Sequence, residues 1–294
     1  MMSNRRGVVL KSKRELALMR EAGRINAEAL AAAVAVIRPG VRTAEIDAAA
    51  VEVLRKHGAG SAFKGYPGPY PYPAVTTICV NEELVHGIPG KRRLKEGDIV
   101  SIDCGSVVEG YVGDSAITVG VGEIAAETQR LIDVTRESLF VGIAQMREGN
   151  RVGDVSASIQ AYVEKQGLNV VREYTGHGVG RNMHEDPQVP NYGKPGSGIP
   201  LRNGMTIALE PMVLAGGPET RVLKDKWTVV SRDGSLTAHF EHSVAVTEEG
   251  PWVLTALDEG SLDGFQLHKY NKYFAARTQP VGDRKAAQEG GRSA

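Results

Sequence analysis

Apolar residues fall at helical spacing from Leu16 onward. Leu16, Met19, Ala22, Ile25, Ala29, Leu30, Ala33, Val34 and Ile37 line one face of a long helix. Ser12-Lys13-Arg14-Glu15 has the capping-box spacing at its start, and Pro39-Gly40 ends it. A second helix is predicted from near Thr43 through Ile46, Ala49, Ala50, Val53 and Leu54, closing at His57-Gly58. Tyr66-Pro67-Gly68-Pro69-Tyr70-Pro71-Tyr72-Pro73 then breaks all periodicity, because prolines at this density support neither a central strand nor a helix. That stretch reads either as a plain loop or as the aromatic wall of an apolar pocket. Residues 75–80 are strand-like, and residues 81–87 form a turn carrying His86.

The next pattern is a β-hairpin. Two runs rich in β-branched residues, 97–105 and 110–119, flank Glu109-Gly110, the usual punctuation of a tight reversal. Whether the turn centres on 108–109 or 109–110, Asp103 and Asp114 share one face of the ladder. They are then direct or diagonal cross-strand neighbours, roughly 5–8 Å apart at Cβ. Two aspartates on a mostly apolar hairpin repel unless a proton or cation lies between them.

The second half repeats the first. Ile37-Arg38-Pro39-Gly40 recurs as Met146-Arg147-Glu148-Gly149, and the same offset pairs Lys56 with Lys165 and Gly58 with Gly167. Leu94-Lys95-Glu96-Gly97 recurs as Leu201-Arg202-Asn203-Gly204, which sets Asp103 opposite Glu210. A later strand, residues 240–247, resembles the Asp114 strand in having an acid followed by small and β-branched residues. We read two helix–helix–strand–strand halves, about 12–120 and 121–257, related by an approximate two-fold. A loose leader (1–11) precedes them, and a Gly-, Arg- and Gln-rich tail (258–294), expected to be mobile, follows.

Composition narrows the function classes. Among 294 residues, Lys plus Arg equals Asp plus Glu at 35 each, so no global charge argues for nucleic acid or membrane. No apolar run reaches transmembrane length, and the N-terminus lacks an apolar segment of signal-peptide length. Cys79 and Cys104 form no CxxC pattern, which suits a reducing cytoplasm.

The duplication gathers acids at one centre: Asp103, Asp114, Glu210 and Glu241, with His177 from Gly176-His177-Gly178-Val179-Gly180. Four carboxylates in one place cannot all ionise unaided, and divalent cations would resolve the charge. Carboxylates with one imidazole suit manganese, iron, cobalt or zinc. His184-Glu185-Asp186-Pro187 lacks the second histidine of HExxH, which excludes a zincin helix. His86 and His184 are candidates for substrate contact, whereas His57, His239, His242 and His268 read as structural or surface residues.

These residues carry a resemblance. Asn81-Glu82, His86-Gly87-Ile88-Pro89, Ile102-Asp103, Gly113-Asp114-Ser115, the His177 stretch, His184-Glu185, Glu210-Pro211-Met212, Trp227-Thr228 and Glu241-His242 together resemble type I methionine aminopeptidases, over residues 12–257. The resemblance implies an α+β pita-bread fold, with pseudo-two-fold helices packed on a curved antiparallel sheet. It implies two divalent metal ions: one on Asp103, Asp114 and Glu241, the other on Asp114, His177, Glu210 and Glu241. Glu210 would shuttle protons, His184 would stabilise the oxyanion, and His86 would contact the scissile amide. Tyr66, Tyr72, Thr77, Met183 and Trp227 would line the methionine pocket. The implied substrate is the N-terminus of a nascent polypeptide with a small second residue, near the ribosome. The implied enzyme is a cytoplasmic monomer with no nucleic-acid specificity and no membrane contact.

Four departures bear on pocket shape. Val112 stands where the family often has histidine, Met183 replaces a usual phenylalanine, the Tyr66–Pro73 loop is longer than common, and Thr77 stands where many bacterial members carry cysteine. Two rivals share the fold: an Xaa-Pro peptidase, and a non-catalytic binding protein that would have lost ligands.

Overall fold

A computed structural model describes residues 7–257. The tail expected to be mobile and His268 lie outside the described residues. Four helices follow the predicted pattern. α1 (Lys13–Ala35) begins at Ser12, whose side chain and that of Glu15 satisfy each other's backbone N–H groups, as the capping box requires. α2 (Thr43–His57) ends at Gly58 in the left-handed conformation. α3 (Ala126–Ala144) and α4 (Val152–Lys165) stand 109 residues further on, judged from the ends of α1 and α3 and the starts of α2 and α4.

Strands from both halves share one antiparallel sheet. Its central order is Gly60–Ser61, Ile99–Val108, Tyr111–Gly120, Glu241–Thr247, Thr206–Leu209, Thr175–Gly178 and Glu185–Pro190. α1 and α2 bury their apolar stripes on the first-half strands. Ile25, Leu30, Ile46 and Leu54 meet Ile78, Val100 and Ile102, all at most 6 % exposed. Truncating a side chain as enclosed as Ile102 to alanine costs about 2–5 kcal/mol.

The hairpin closes on Glu109-Gly110, both with positive φ (47° and 79°), and Val108 pairs with Tyr111. Asp103 therefore faces Ala116 and Asp114 faces Gly105, so the two aspartates are diagonal neighbours. Residues 81–87 are more than a turn: Glu83–Val85 is a short strand paired with Val229–Ser231.

The leader is tied down at its last residue. Lys11 donates its N–H to Gly204 O (2.7 Å), and its ammonium reaches Glu185 Oε2 at 2.5 Å with both side chains under a tenth exposed.

The two-fold is exact enough to read residue by residue. The second hairpin keeps one register from Thr206↔Ala245 to Leu214↔Thr237, as the first does from Ile99↔Gly120 to Val108↔Tyr111. Residues 216–235 stand where the first hairpin has only its two-residue turn. Asp103 thus corresponds to Glu210, but Ala116, not Asp114, corresponds to Glu241. The counterpart of Asp114 is His239. Paired hydroxyls across the axis agree. Ser243 Oγ accepts from Asp114 N–H (3.0 Å) and donates to Asp114 O (2.9 Å). Thr118 Oγ1 does the same with His239, at 2.9 and 2.8 Å. The likeness between the Glu241 and Asp114 strands was off by two positions, because an insertion of this length lets the second strand slip relative to any fixed offset.

Candidate metal centre

Five side chains named from the sequence converge where the hairpins meet. Asp103 and Asp114 come from the first hairpin. Glu210 follows Thr206–Leu209, where the second ladder is interrupted by Pro211, and Glu241 begins the last long strand. His177 arrives on Thr175–Gly178, flanked by glycines that admit no side chain. A Cβ on Gly176 would lie 2.6 Å from Ala208 O, and one on Gly178 2.2 Å from Asp186 O.

His177 Nδ1 lies 2.9 Å from Gly178 O, an acceptor, so Nδ1 carries the proton and Nε2 offers its lone pair to the cluster. Nε2 stands 3.7 Å from Asp114 Oδ2 and 3.5 Å from Glu210 Oε1. Two overlapping groups have ligand atoms within 4.8 Å of one another: Asp114, His177 and Glu241, and Glu210, His239 and Glu241.

Burial dominates the electrostatics. It pushes Asp103, Glu210 and Glu241 well above the ordinary carboxylate range, with neighbouring acid charges adding to the push. Asp114 rises to about 7, also through burial. Burial lowers His177 to about 3 and His86 to about 4, each helped by His184, and lowers His184 as well. Neutral imidazoles facing acids that resist ionisation leave room for added positive charge. Asp103 Oδ1, Asp114 Oδ1 and Glu241 Oε1 are buried and lack hydrogen-bond partners among the described residues. Hard oxygen donors with one available imidazole nitrogen fit borderline divalent cations.

Every residue proposed from the sequence borders one cavity of about 150 Å³. A cavity of that size holds a benzene-sized group. The acids and His177 form one wall, and Phe63, Tyr66, Tyr72, Thr77, Met183 and Trp227 form most of the rest. Tyr72 and Trp227 meet edge to face at 5.1 Å, and Tyr72 donates to Gly87 O at 2.8 Å. His184 Nδ1 lies 2.7 Å from the Tyr66 hydroxyl, and its ring sits 4.3 Å from that of His177. Burial raises the Tyr66 phenol, so it keeps its proton and has an O–H to offer Nδ1; that pairing would put the His184 ring proton on Nε2. His86 sits at φ 60°, a strained position for a residue with a side chain, beside Trp227 and Tyr174.

The Tyr66–Pro73 stretch is therefore both a loop and a pocket wall. Reading the sequence missed Phe63 and His239. Phe63, three residues ahead of Tyr66, carried the signal of an apolar aromatic beside an aromatic loop. His239, two residues before Glu241, carried no signal beyond that spacing.

Comparison with known proteins agrees with this geometry. Residues 17–248 match metallopeptidase family M24. The methionine aminopeptidase of Clostridium acetobutylicum is 48% identical over 249 residues, which is 84% of this chain and 98% of that protein. The solved methionine aminopeptidase of Thermotoga maritima is 47% identical with a TM-score of 0.83, covering 85% of this chain and 99% of that one. The prolidase of Pyrococcus furiosus, at 22% identity and a TM-score of 0.68 over 85% of this chain and 66% of its own, shares the fold. The architecture is the pita-bread fold expected from the resemblance, and relatives of the Xaa-Pro kind are distant. With residues 17–248 matching the family, near-half identity over more than four fifths of the chain and a shared fold, the chain belongs to metallopeptidase family M24.

Proposed function

We propose that the chain is a metal-dependent aminopeptidase that hydrolyses the first peptide bond of newly made proteins, releasing initiator methionine where the second residue is small. The observation that carries this reading is one small cavity with two unlike walls, a buried acid–imidazole cluster facing an aromatic, sulfur-lined surface. Unbranched methionine suits such a surface, with its sulfur against ring edges.

In this reading Asp103, Asp114 and Glu241 hold one divalent cation, and Asp114, His177, Glu210 and Glu241 hold a second, drawn from cobalt, manganese, iron or zinc. When bound, the cations would polarise the first peptide carbonyl and lower the pKa of an attacking water. Glu210 takes a proton from that water and returns it to the leaving amine. His184 donates Nε2–H to the developing oxyanion, held in that tautomer by Tyr66. His86 contacts the scissile amide. Tyr66, Tyr72, Thr77, Met183 and Trp227, joined by Phe63, hold the methionine side chain.

We place the protein in the cytoplasm as a monomer acting on nascent chains near the ribosome. Two unpaired cysteines and a centre assembled within one chain support this. Among the described residues, no helix is long and apolar enough to cross a membrane.

Methionine release from Met-Ala-Ser by metal-stripped protein, with and without manganese or cobalt, tests the reading beside Glu210→Ala and an Ala-Pro peptide. We expect metal-dependent release of methionine, lost in the variant, with the Ala-Pro peptide left intact. Release without metal, or undiminished in Glu210→Ala, would overturn the mechanism.

A further inference from the structure

The two-fold assigns His239 the place that Asp114 holds in the other half. It is 2 % exposed and contributes nothing to the cavity wall. Its Nε2 stands 3.7 Å from both Glu210 Oε2 and Glu241 Oε2, and makes no hydrogen bond in this structure. That separation is too long for a hydrogen bond, yet the nitrogen is aimed at both oxygens equally. Glu210 is thereby set between two imidazoles. Its Oε1 faces His177 on the cavity side and its Oε2 faces His239 behind.

Two roles fit a buried nitrogen facing two carboxylate oxygens. As a cation ligand it would need a further donor or open space on its own side. His239 lines no part of the cavity that His177 enters, so a cation held between it, Glu210 and Glu241 would sit behind those acids. As an N–H donor it needs only the carboxylates already there. Buried polar atoms nearly always find partners, and carboxylates that hold metals are themselves held by outer donors.

We propose that His239 is a positioning residue of the metal centre. Its Nε2–H, behind Glu210 and Glu241, holds their outer oxygens so that the inner ones face the cations, and so sets the centre's affinity for them. This rests on the metal-centre reading above.

The test compares His239→Leu, which keeps most of the bulk and loses the donor, with His239→Gln, which keeps an N–H. Cobalt(II) binding to ion-free protein is measured by calorimetry and by the visible absorption of the bound ion. Melting of the ion-free proteins reports folding. We expect the leucine variant to bind cobalt 10- to 100-fold more weakly. Glutamine should restore most of the affinity with an unchanged spectrum. Should the leucine variant not fold, His239→Met takes its place. Wild-type affinity in the donorless variant would overturn the proposal. Failure of glutamine to rescue, with an altered cobalt spectrum, would overturn it too by making His239 a ligand. If wild-type protein binds no divalent cation, the metal-centre reading itself fails, an outcome distinct from either.

Discussion

The first half of the molecule builds its share of the centre inside an unbroken hairpin, whereas the second interrupts the same hairpin at the same place. Asp103 sits in a continuous ladder between Thr77 and Ala116. Its counterpart Glu210 precedes a proline, and the ladder bonds lapse around it. The corresponding positions then diverge in chemistry. Asp114 matches His239, Ala116 matches Glu241, and Cys79, opposite Ser101, matches His177, opposite Ala208. The two-residue turn of one half becomes residues 216–235 in the other, and that excursion carries Trp227 to the pocket. Duplication supplied the frame. Divergence within it kept an acid on both sides of the axis at Asp103 and Glu210, but left Asp114, Glu241 and His177 without a like copy across it.

The sharpest way to break this comparison is to exchange matched positions. Glu241→Ala should lower metal-dependent turnover by at least about 100-fold, beyond the loss expected for an outer partner. Ala116→Ser, at the matched position, should leave turnover within a few-fold. Kinetics with metal content read in parallel would check both, and equal losses would mean that the matched positions are not functionally distinct.

Asp114 and His239 stand at matched positions and titrate in opposite directions, each because of burial. Asp114 rises from 3.8 to about 7, and His239 falls from 6.5 to about 3. Between these Asp114 values, folded ion-free protein keeps a proton that the unfolded chain has lost. The stability Asp114 contributes is therefore full below about pH 4 and is lost as pH rises toward 7. His239 acts in reverse. The unfolded chain binds the extra proton between about pH 3 and 6.5, so this contribution grows with pH across that window. In chelator, Asp114→Asn should gain stability relative to wild type from pH 4 to 7, and His239→Gln should lose it. The effect at each site is a few kcal/mol by urea unfolding. Parallel profiles for the two variants would remove the contrast. Added manganese should make wild-type stability rise with pH, because the cation binds the ionised acids.

The hydroxyls across the axis offer a smaller test. Thr118→Val and Ser243→Ala each remove a hydroxyl that both accepts from and donates to the opposite backbone. Each should cost about 1–3 kcal/mol by urea unfolding. Near-equal values would sharpen the two-fold. A markedly smaller loss at either site would show that the axis is geometric only.

Much of this was readable beforehand, for identifiable reasons. Helix stripes, the capping box, the Glu109-Gly110 turn and the 109-residue offset are local or periodic signals, and they carried the four helices, the first hairpin and the duplication. The four acids and one imidazole of the centre, with the pocket aromatics, came from motifs in order. What escaped depends on distant pairing. The register of Glu241 against Asp114 is hidden because residues 216–235 decouple the two strands of the second hairpin. Lys11 looked like part of a loose basic leader, since its partner Glu185 lies 174 residues away. His239 reads from the sequence as a structural or surface residue, and only the ladder gives it a counterpart in Asp114.

The smallest expected effect again sets the halves side by side. α1 begins with a reciprocal cap between Ser12 and Glu15, whereas its counterpart α3 begins at Ala125, which has no side chain able to cap. Ser12→Ala should cost about 1 kcal/mol, the usual value for losing a side-chain N-cap. Ala125→Ser should recover a comparable amount, because Ala125 already has the extended backbone of an N-cap, with φ −63° and ψ 149°. Urea midpoints of the two single variants and their combination would check this. The combination should fall near wild type, since sites this far apart with no shared partner add. A loss at Ser12 much above that value would have a specific cause. Glu15 also accepts from the Tyr111 hydroxyl at 2.7 Å, so freeing it would loosen the first hairpin as well as the helix.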